Sequence, residues 1–290
     1  MERDTLQRFV FTEFPVRGEF VRLGATWEAV TENRNYPPVV RRLLGETMVA
    51  GALLAATLKF NGSLILQIQG NGPVPLLVVE CTSERTLRGL AHWHEPISEG
   101  SLRDVLGDGN LVITIDPQDE KSRYQSVVNL EGDSIATVLE SYLAQSEQIS
   151  TRLWIASNDK NAAGLMLQRV PGESTDDDDA WERTVHLSQT VSESELLRLP
   201  SEELLYRLFH EESVRVFDHE PVSFRCTCSR EKVRNMLRAF GHDEVQSILA
   251  DEGKISVNCE FCNQLYEFDS VDAAMLFVDE VSPEVPPTTH

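Results

Sequence analysis

Four of the five cysteines in this 290-residue chain are arranged as two close pairs near its C-terminal end. The first pair is Cys226-Thr-Cys228, and the second pair, Cys259-Glu-Phe-Cys262, follows after 30 residues. Each pair can place two sulfur atoms on one small ion, and four thiolates complete the tetrahedral shell of a structural Zn²⁺. The spacing therefore predicts one zinc ion bound by all four of these cysteines, with no position left open for a substrate.

The segment that carries these cysteines is short for an independent domain. About 50 residues bury too little apolar surface to be comfortably stable, whereas structural zinc contributes on the order of 10–16 kcal/mol in small zinc peptides. We therefore expect the metal to determine whether residues 223–270 are folded. Within them, Lys254–Cys259 and Gln264–Phe268 are predicted to form a hairpin that turns at the second cysteine pair. The paired thiols are also close enough to oxidise to disulfides, which would expel the metal.

Basic residues surround the first cysteine pair in an otherwise acidic chain. Arg225, Arg230, Lys232 and Arg234 form the densest basic patch in a sequence whose net charge is −21. They are predicted to offset the negative charge of four thiolates. Ser229 is predicted to cap the helix that follows Cys228, and the dipole of that helix also favours a thiolate.

Residues 171–222 differ in character from the chain on either side. They contain 14 acidic and 4 basic residues, including the run Asp176–Asp179, which is interpreted as a solvated or repelling tract. Ser192 and Glu195 form a capping-box pattern, and leucines follow at helical spacing. Such a segment is expected to be only marginally folded alone and to dock its leucines on another part of the chain. An ordinary helical linker is the simpler alternative.

The first 170 residues have the pattern of closely spaced strands and helices. Pro37-Pro38 begins the strongest helix pattern, and the stretch Thr47–Leu58 carries no charge, so this helix is expected to be buried on most sides. Gly70-Asn71-Gly72 predicts a turn between two strands. A second turn is predicted at Arg17-Gly18. Because strands and helices are grouped rather than strictly alternating, the predicted fold class is α+β.

The predicted architecture has four parts. They are a core domain of antiparallel sheets and helices (1–170), a metastable, acidic, helical linker (171–222), a four-cysteine zinc redox-switch module (223–270) and a Pro-rich, acidic C-terminal tail (271–290).

Several functional classes find no support in the sequence. No apolar run approaches the roughly 20 residues of a membrane span, and the charged N-terminus lacks a signal core, so we expect a cytoplasmic protein without membrane partners. The acidity argues against nucleic-acid binding. No phosphate-binding glycine loop, serine elbow or HExxH motif is present, so no enzyme active site is predicted. Cys81 ends an apolar strand and is interpreted as a core residue; His92 and His94 are interpreted as sheet residues.

Further stretches accompany the two cysteine pairs: Arg17–Leu23, Leu43–Glu46, Leu53–Lys59, Gln67–Pro73 and Val78–Cys81. Together with Cys226, Cys228, Cys259 and Cys262, they resemble the redox-regulated heat-shock protein 33 chaperones, and the resemblance covers nearly the whole chain. The run Asp176–Asp179 and the Pro-rich tail are not assigned by it.

The resemblance implies an ATP-independent holdase that is inactive when reduced and zinc-bound. Oxidation would join Cys226 with Cys228 and Cys259 with Cys262, and zinc would be released. The module and the linker would then unfold, and the protein would form a homodimer and bind unfolding client proteins under oxidative stress.

Two other functions are left open by the residues themselves. A constitutive zinc module could bind nucleic acid through the basic stretch Arg225–Arg238. A thiol oxidoreductase could use Cys259 and Cys262 as a redox pair, although a tightly held zinc ion argues against this.

Overall fold

A computed structural model describes residues 4–32, 34–118, 122–170 and 177–277. The chain forms two compact units, Met1–Arg225 and Cys226–His290. None of the helices within the described ranges is long and apolar enough to cross a membrane.

The first unit contains most of the regular structure. Its strands are β1 (Thr5–Phe11), β2 (Val16–Leu23), β3 (Gly62–Gly70), β4 (Leu76–Thr82), β5 (Thr86–His92), β6 (Gly109–Pro117), β7 (Tyr124–Asn129), β8 (Thr151–Ser157), β9 (Ala162–Arg169), β10 (Val214–Val216), β11 (Glu220–Pro221) and β12 (Ser223–Phe224). Its helices are α1 (Ala25–Thr31), α2 (Pro38–Thr57), α3 (Leu102–Leu106), α4 (Ile135–Gln145), α5 (Ala180–Ser188), α6 (Glu193–Arg198) and α7 (Ser201–Phe209).

The second unit is smaller and follows directly in the chain. Its elements are α8 (Arg230–Phe240), α9 (His242–Glu252), β13 (Ile255–Asn258), β14 (Leu265–Phe268) and α10 (Ser270–Leu276). With the first unit, this confirms the predicted α+β class.

The first sheet of the large unit has the strand order β10-β1-β2-β9-β8, and β11 also pairs with β1. All of these pairings are antiparallel. The predicted turn at Arg17-Gly18 is wrong, because both residues lie inside β2. Gly18 is opposite Phe9 in the register, and a Cβ at Gly18 would lie 2.0 Å from Cζ of that ring. The glycine therefore makes room for an aromatic ring instead of making a turn.

The second sheet has the order β12-β5-β4-β3-β6-β7, in which only the β12–β5 pairing among the described strands is parallel. Helix α2 lies between the two sheets and contacts strands of both. On one side Val49 packs against Gly164 of β9, and on the other Gly51 faces Val79 of β4. This position confirms that the uncharged half of α2 is buried on most sides.

The linker helices α5, α6 and α7 cover the face of the first sheet that points away from α2. The helices and this sheet face together form one buried apolar cluster. The helices contribute Ala180, Leu196, Leu197, Leu204, Leu205, Leu208 and Phe209. The sheet contributes Phe9, Phe11, Phe14, Val16, Phe20, Ala156, Ala163, Leu165 and Leu167. Phe209 lies edge-on to Phe11 with ring centroids 5.0 Å apart. The leucines of the acidic segment are therefore docked, as the sequence analysis expected.

The beginning of the linker is only partly described, since residues 171–176 lie outside the described ranges, and Asp176 with them. Asp177 is held by Arg183, whose Nη2 is 2.7 Å from Asp177 Oδ2. The same guanidinium donates to Glu212 after α7. The acidic run, interpreted as a solvated or repelling tract, thus contributes Asp177 to an ion pair with Arg183, which also binds Glu212 beyond the last linker helix.

The second unit has its own small core, formed by Val233, Leu237, Val245, Leu249, Ile255, Phe268, Ala273 and Leu276. Helix α10 contributes the last two of these. Residues 271–276, which the sequence analysis grouped with the tail, lie within α10. Asp269 forms a capping box with Asp272 and starts a helix too short to show a periodic pattern. The Pro-rich residues 278–290 lie outside the described ranges.

Candidate metal centre

The second cysteine pair lies on the turn of the predicted hairpin, between β13 and β14. Cys259 N donates to Gln264 O at 2.9 Å, and Asn263 N donates to Cys259 O at 2.8 Å. Asn263 adopts φ +58°, a left-handed conformation that asparagine tolerates better than most residues. These bonds close the turn, which presents Cys259 and Cys262 together.

The first cysteine pair lies in the extended segment before α8. Ser229 caps this helix, and its hydroxyl accepts a hydrogen bond from Lys232 N at 3.2 Å, as predicted. Cys228 therefore lies directly before a helix N-terminus, where the exposed backbone N–H groups favour negative charge.

The four sulfur atoms converge, and all lie within 4.8 Å of one another. Two of the separations join the two pairs: Cys226 Sγ is 3.6 Å from Cys259 Sγ, and Cys228 Sγ is 3.4 Å from Cys262 Sγ. Four thiolates on one zinc ion with Zn–S bonds of about 2.3 Å would have sulfurs about 3.8 Å apart. The observed spacing fits such a shell, so these four residues could hold a metal ion. No other group of this kind occurs within the described ranges.

Backbone N–H groups donate to three of the four sulfurs. Cys226 Sγ accepts from the N–H of Cys228, Cys259 Sγ from those of Phe261 and Cys262, and Cys262 Sγ from that of Gln264. Such bonds stabilise thiolates and orient them, as the outer shell of a metal site does.

The pKa values of the thiols differ because burial and these donors compete. Burial raises the pKa of Cys226, and it raises that of Cys262 to about 12. Burial also acts on Cys259, but the two backbone N–H groups, together with the thiols of Cys226 and Cys262, outweigh it and lower its pKa. A metal ion must displace the remaining protons, so metal affinity is expected to increase with pH.

Tyr266 of β14 was not identified from the sequence as part of this site. Its hydroxyl donates to Cys228 Sγ at 3.1 Å, so the hairpin half of the centre contacts a sulfur of the other half. This bond raises the pKa of Tyr266 to about 12, and the phenol keeps its proton at neutral pH. The only signal in the sequence was an aromatic residue on the strand that leaves the second cysteine pair.

Two arginines of α8 bind other elements of the same unit. Arg230 donates to Asp272 Oδ2 and to Glu267 O, both at 2.8 Å, and its guanidinium lies 4.3 Å from the centre of the Phe268 ring. Arg238 Nε donates to Leu276 O at 2.7 Å. These arginines bind β14 and α10, so the basic stretch is less available for the nucleic-acid binding considered above.

The remaining candidate residues belong to the first unit. Cys81 is 1% exposed in β4, and burial raises the pKa of its thiol to about 12, which confirms its interpretation as a core residue. His92 is the last residue of β5, and His94 lies just beyond that strand. Arg225 pairs with Glu84 at 3.7 Å.

Comparisons with known proteins agree over nearly the full length of the chain. The family model of the Hsp33 protein matches residues 4–269. A 33 kDa chaperonin of Nitrosococcus oceani is 49% identical over 288 residues, which cover 99% of both chains. One from Methylobacillus flagellatus is 48% identical over 280 residues, covering 96% of both chains.

A solved structure shows the same fold. The crystal structure of the 33 kDa chaperonin (heat shock protein 33 homolog) of Thermotoga maritima superposes with a TM-score of 0.80 at 25% identity. The match covers 95% of this chain and 98% of that one. With the family model and the full-length relatives, this places the chain in the Hsp33 protein family.

Proposed function

We propose that this protein is a redox-regulated, ATP-independent chaperone of the cytoplasm that holds unfolding proteins and prevents their aggregation under oxidative stress. Reduced Cys226, Cys228, Cys259 and Cys262 hold one Zn²⁺ and keep the protein inactive. Oxidation of these cysteines releases the metal and unfolds the module of residues 223–270 and the linker of residues 171–222. The printed names of the relatives, 33 kDa chaperonin, support a chaperone.

The observation that carries this proposal is the apolar face of the first sheet under the linker helices. Leu204 and Leu208 of α7 are almost fully buried against it, as is Phe209. If the linker leaves, the phenylalanines of β1 and β2 become accessible to water. A contiguous apolar face of this kind is typical of a surface that binds other proteins.

The chain passes from this cover to the cysteines through three short strands. Strands β10 and β11 follow α7 and pair with β1, and β12 then pairs with β5. Arg225 N still donates to Leu87 O at 3.1 Å, and the next residue is Cys226. Unfolding from Cys226 onward would therefore begin directly after the residues that pair with β5.

Zinc, when bound, supplies a charge that keeps four thiolates together and thereby holds the small module folded. Each disulfide forms when two sulfurs lose two electrons in total. One molecule of hydrogen peroxide accepts these electrons with two protons and yields two water molecules. The proposed disulfides, Cys226–Cys228 and Cys259–Cys262, use all four ligand sulfurs and leave none as a thiolate.

The exposed leucines and the sheet face would bind apolar segments of unfolding clients, and the acidic linker would keep the complexes soluble. The oxidised protein is proposed to act as a homodimer.

The test is to oxidise the zinc-loaded, reduced protein with peroxide at raised temperature. A chromogenic chelator follows the released zinc, light scattering follows aggregation of a denatured client, and mass spectrometry maps the disulfides. We expect zinc release and suppressed aggregation together, with disulfides inside each cysteine pair and none across the short Cys226–Cys259 and Cys228–Cys262 distances.

Cys81→Ala is the matched control, since it removes a buried thiol outside the centre and should leave zinc content and activation unchanged. Full suppression of aggregation without oxidant, or oxidation without zinc loss, would refute the switch. Salt-sensitive RNA binding by the reduced protein would instead favour the nucleic-acid alternative.

A further inference from the structure

We propose that Tyr266 is a positioning residue of the metal centre, whose hydroxyl holds Cys228 Sγ and thereby slows loss of the metal and oxidation of this sulfur. The inference rests on the proposed function, because it assumes that the four thiolates bind zinc.

The first observation is the geometry of the bond. Tyr266 Oη lies 3.1 Å from Cys228 Sγ, within the range of a hydrogen bond to sulfur. The backbone of Tyr266 pairs with Val257 of β13, and its ring packs against the core of the second unit. The hydroxyl therefore projects from a ring whose position is fixed by a strand pairing and by the core.

The second observation is the distribution of donors around the four sulfurs. The other three cysteines accept hydrogen bonds from backbone N–H groups of the two cysteine segments. For Cys228, the donor that the structure places on the sulfur is a side chain, that of Tyr266. Unlike the backbone donors, this side-chain donor can be removed by a substitution that leaves the backbone unchanged.

The physical consequence follows from the charge on the sulfurs. Four thiolates around a divalent ion leave two negative charges, and each donated hydrogen bond reduces the electron density on its sulfur. A sulfur with lower electron density is a weaker nucleophile toward peroxide and releases the metal less readily to a proton. Loss of an outer-shell partner commonly costs 10–100-fold in metal affinity.

The bond also joins the two halves of the centre. Tyr266 belongs to the hairpin that carries Cys259 and Cys262, whereas Cys228 precedes α8. Removing the hydroxyl leaves the metal itself and the neighbouring sulfurs to hold Cys228 in place.

The experiment uses the full-length, reduced, zinc-loaded protein and its Tyr266→Phe variant, which keeps the ring and loses the hydroxyl. Competition with a chelator measures zinc affinity, and a chromogenic chelator measures the rate of zinc release in peroxide. Absorption of the Co²⁺-substituted protein reports the thiolate-to-metal charge transfer. We expect zinc affinity to fall about tenfold, release to accelerate by a similar factor, and the charge-transfer band to move to lower energy.

Two control variants distinguish the effect of losing the Tyr266 hydroxyl from a general effect of substitution on the fold. Leu265→Ala removes an exposed side chain on the same strand, and Tyr206→Phe removes a phenolic hydroxyl that is 74% exposed on α7. Both should match the unsubstituted protein in affinity, release rate and Co²⁺ spectrum.

The outcomes distinguish this inference from the proposed function. An unsubstituted protein that binds no zinc would refute the proposed function. An unsubstituted protein that binds zinc with four thiolates, beside a Tyr266→Phe variant with unchanged affinity, release rate and Co²⁺ spectrum, would overturn the role of Tyr266 alone.

Discussion

The linker helices and the cysteine module are both small, but they are held in different ways. The linker helices α5, α6 and α7 share one apolar cluster with the first sheet, and this cluster includes five phenylalanines. The second unit has a core of eight buried hydrophobic side chains, and its four cysteine sulfurs lie together at the candidate metal centre. The packing of apolar side chains against a sheet is not changed by an oxidant, whereas thiolates are oxidised by it.

This difference indicates which part of the molecule an oxidant can modify. Peroxide has no direct effect on the leucines of α7, so in the proposed switch oxidation would act on the helices that cover the sheet through the module that follows them in the chain. The linker must also bind the sheet weakly enough to dissociate from it once the neighbouring module unfolds. The following predictions test the two kinds of stabilisation separately.

Metal removal should have the largest effect. Structural zinc contributes on the order of 10–16 kcal/mol in small peptides, so we expect a strong chelator to unfold residues 226–277 and to leave strands β2 and β9 of the first unit folded. Limited proteolysis with mass spectrometry should show new cleavage in the module and none in β2 or β9. Equal protection of the module with and without metal would contradict this contrast.

Loss of one docked leucine should have the next largest effect. Leu208 is 3% exposed, and Leu208→Ala should weaken docking of α7 by about 2–5 kcal/mol. The reduced variant should then suppress client aggregation without oxidant, measured by light scattering. Tyr206→Ala on the exposed side of the same helix is the matched control and should stay inactive until oxidised. Equal behaviour of both variants would argue against the covered face.

A buried carboxyl should make the first unit less stable as pH rises. Burial raises the pKa of Glu19 from 4.5 to about 7, against the opposing effect of Arg17 and Arg8. The folded state holds this proton more tightly than the unfolded state, so the stabilisation is complete below about pH 4.5 and is lost as pH rises through about 7. The loss is at most about 3 kcal/mol.

Urea unfolding, followed by tryptophan fluorescence between pH 5 and 8, measures this effect. Glu19→Gln does not titrate and should flatten the decline in unfolding free energy. An identical pH dependence in both proteins would exclude Glu19 as its source.

The smallest effect is expected at the ion pairs of the last linker strands. Glu220 of β11 accepts hydrogen bonds from Arg8 of β1 and forms an ion pair with Arg85, which precedes β5. Because these side chains are partly exposed, Glu220→Gln should weaken linker docking by about 1 kcal/mol or less. Oxidative activation, measured by client aggregation over time, should accelerate less than about fivefold.

Asp108→Asn is the control for Glu220, since it removes an ion pair with Arg103 that is largely exposed. Its activation rate should not change. A Glu220 variant that activates no faster would mean that the leucines alone hold the linker.

Local signals in the sequence were sufficient for much of the fold. The proline start and the uncharged stretch of α2 predicted a helix that is buried on most sides, and the Ser192–Glu195 capping box is present at α6. The spacing of the cysteines predicted the cluster of four sulfurs, because each pair is confined to a short segment.

Features that depend on distant contacts were missed. Gly18 resembles a turn residue, but the Phe9 ring on the neighbouring strand determines its role. Helix α10 is only seven residues long, and its partners on α8 are more than thirty residues earlier. The bond from Tyr266 to Cys228 likewise depends on how the hairpin packs, which no local spacing specifies.

Residues 214–224, at the end of the linker and the start of the module, complete two sheets at their margins. Strands β10 and β11 lie along β1, and β12 lies along β5. If these residues detach, β1 and β5 become edge strands with unpaired main-chain groups, and β1 also carries two phenylalanines of the uncovered face. Main-chain hydrogen bonds between strands do not depend on which side chains an incoming segment carries. A chaperone that opens in this way would accept extended stretches of many unrelated polypeptides, and faster amide hydrogen exchange in β1 and β5 after oxidation would reveal the open edges.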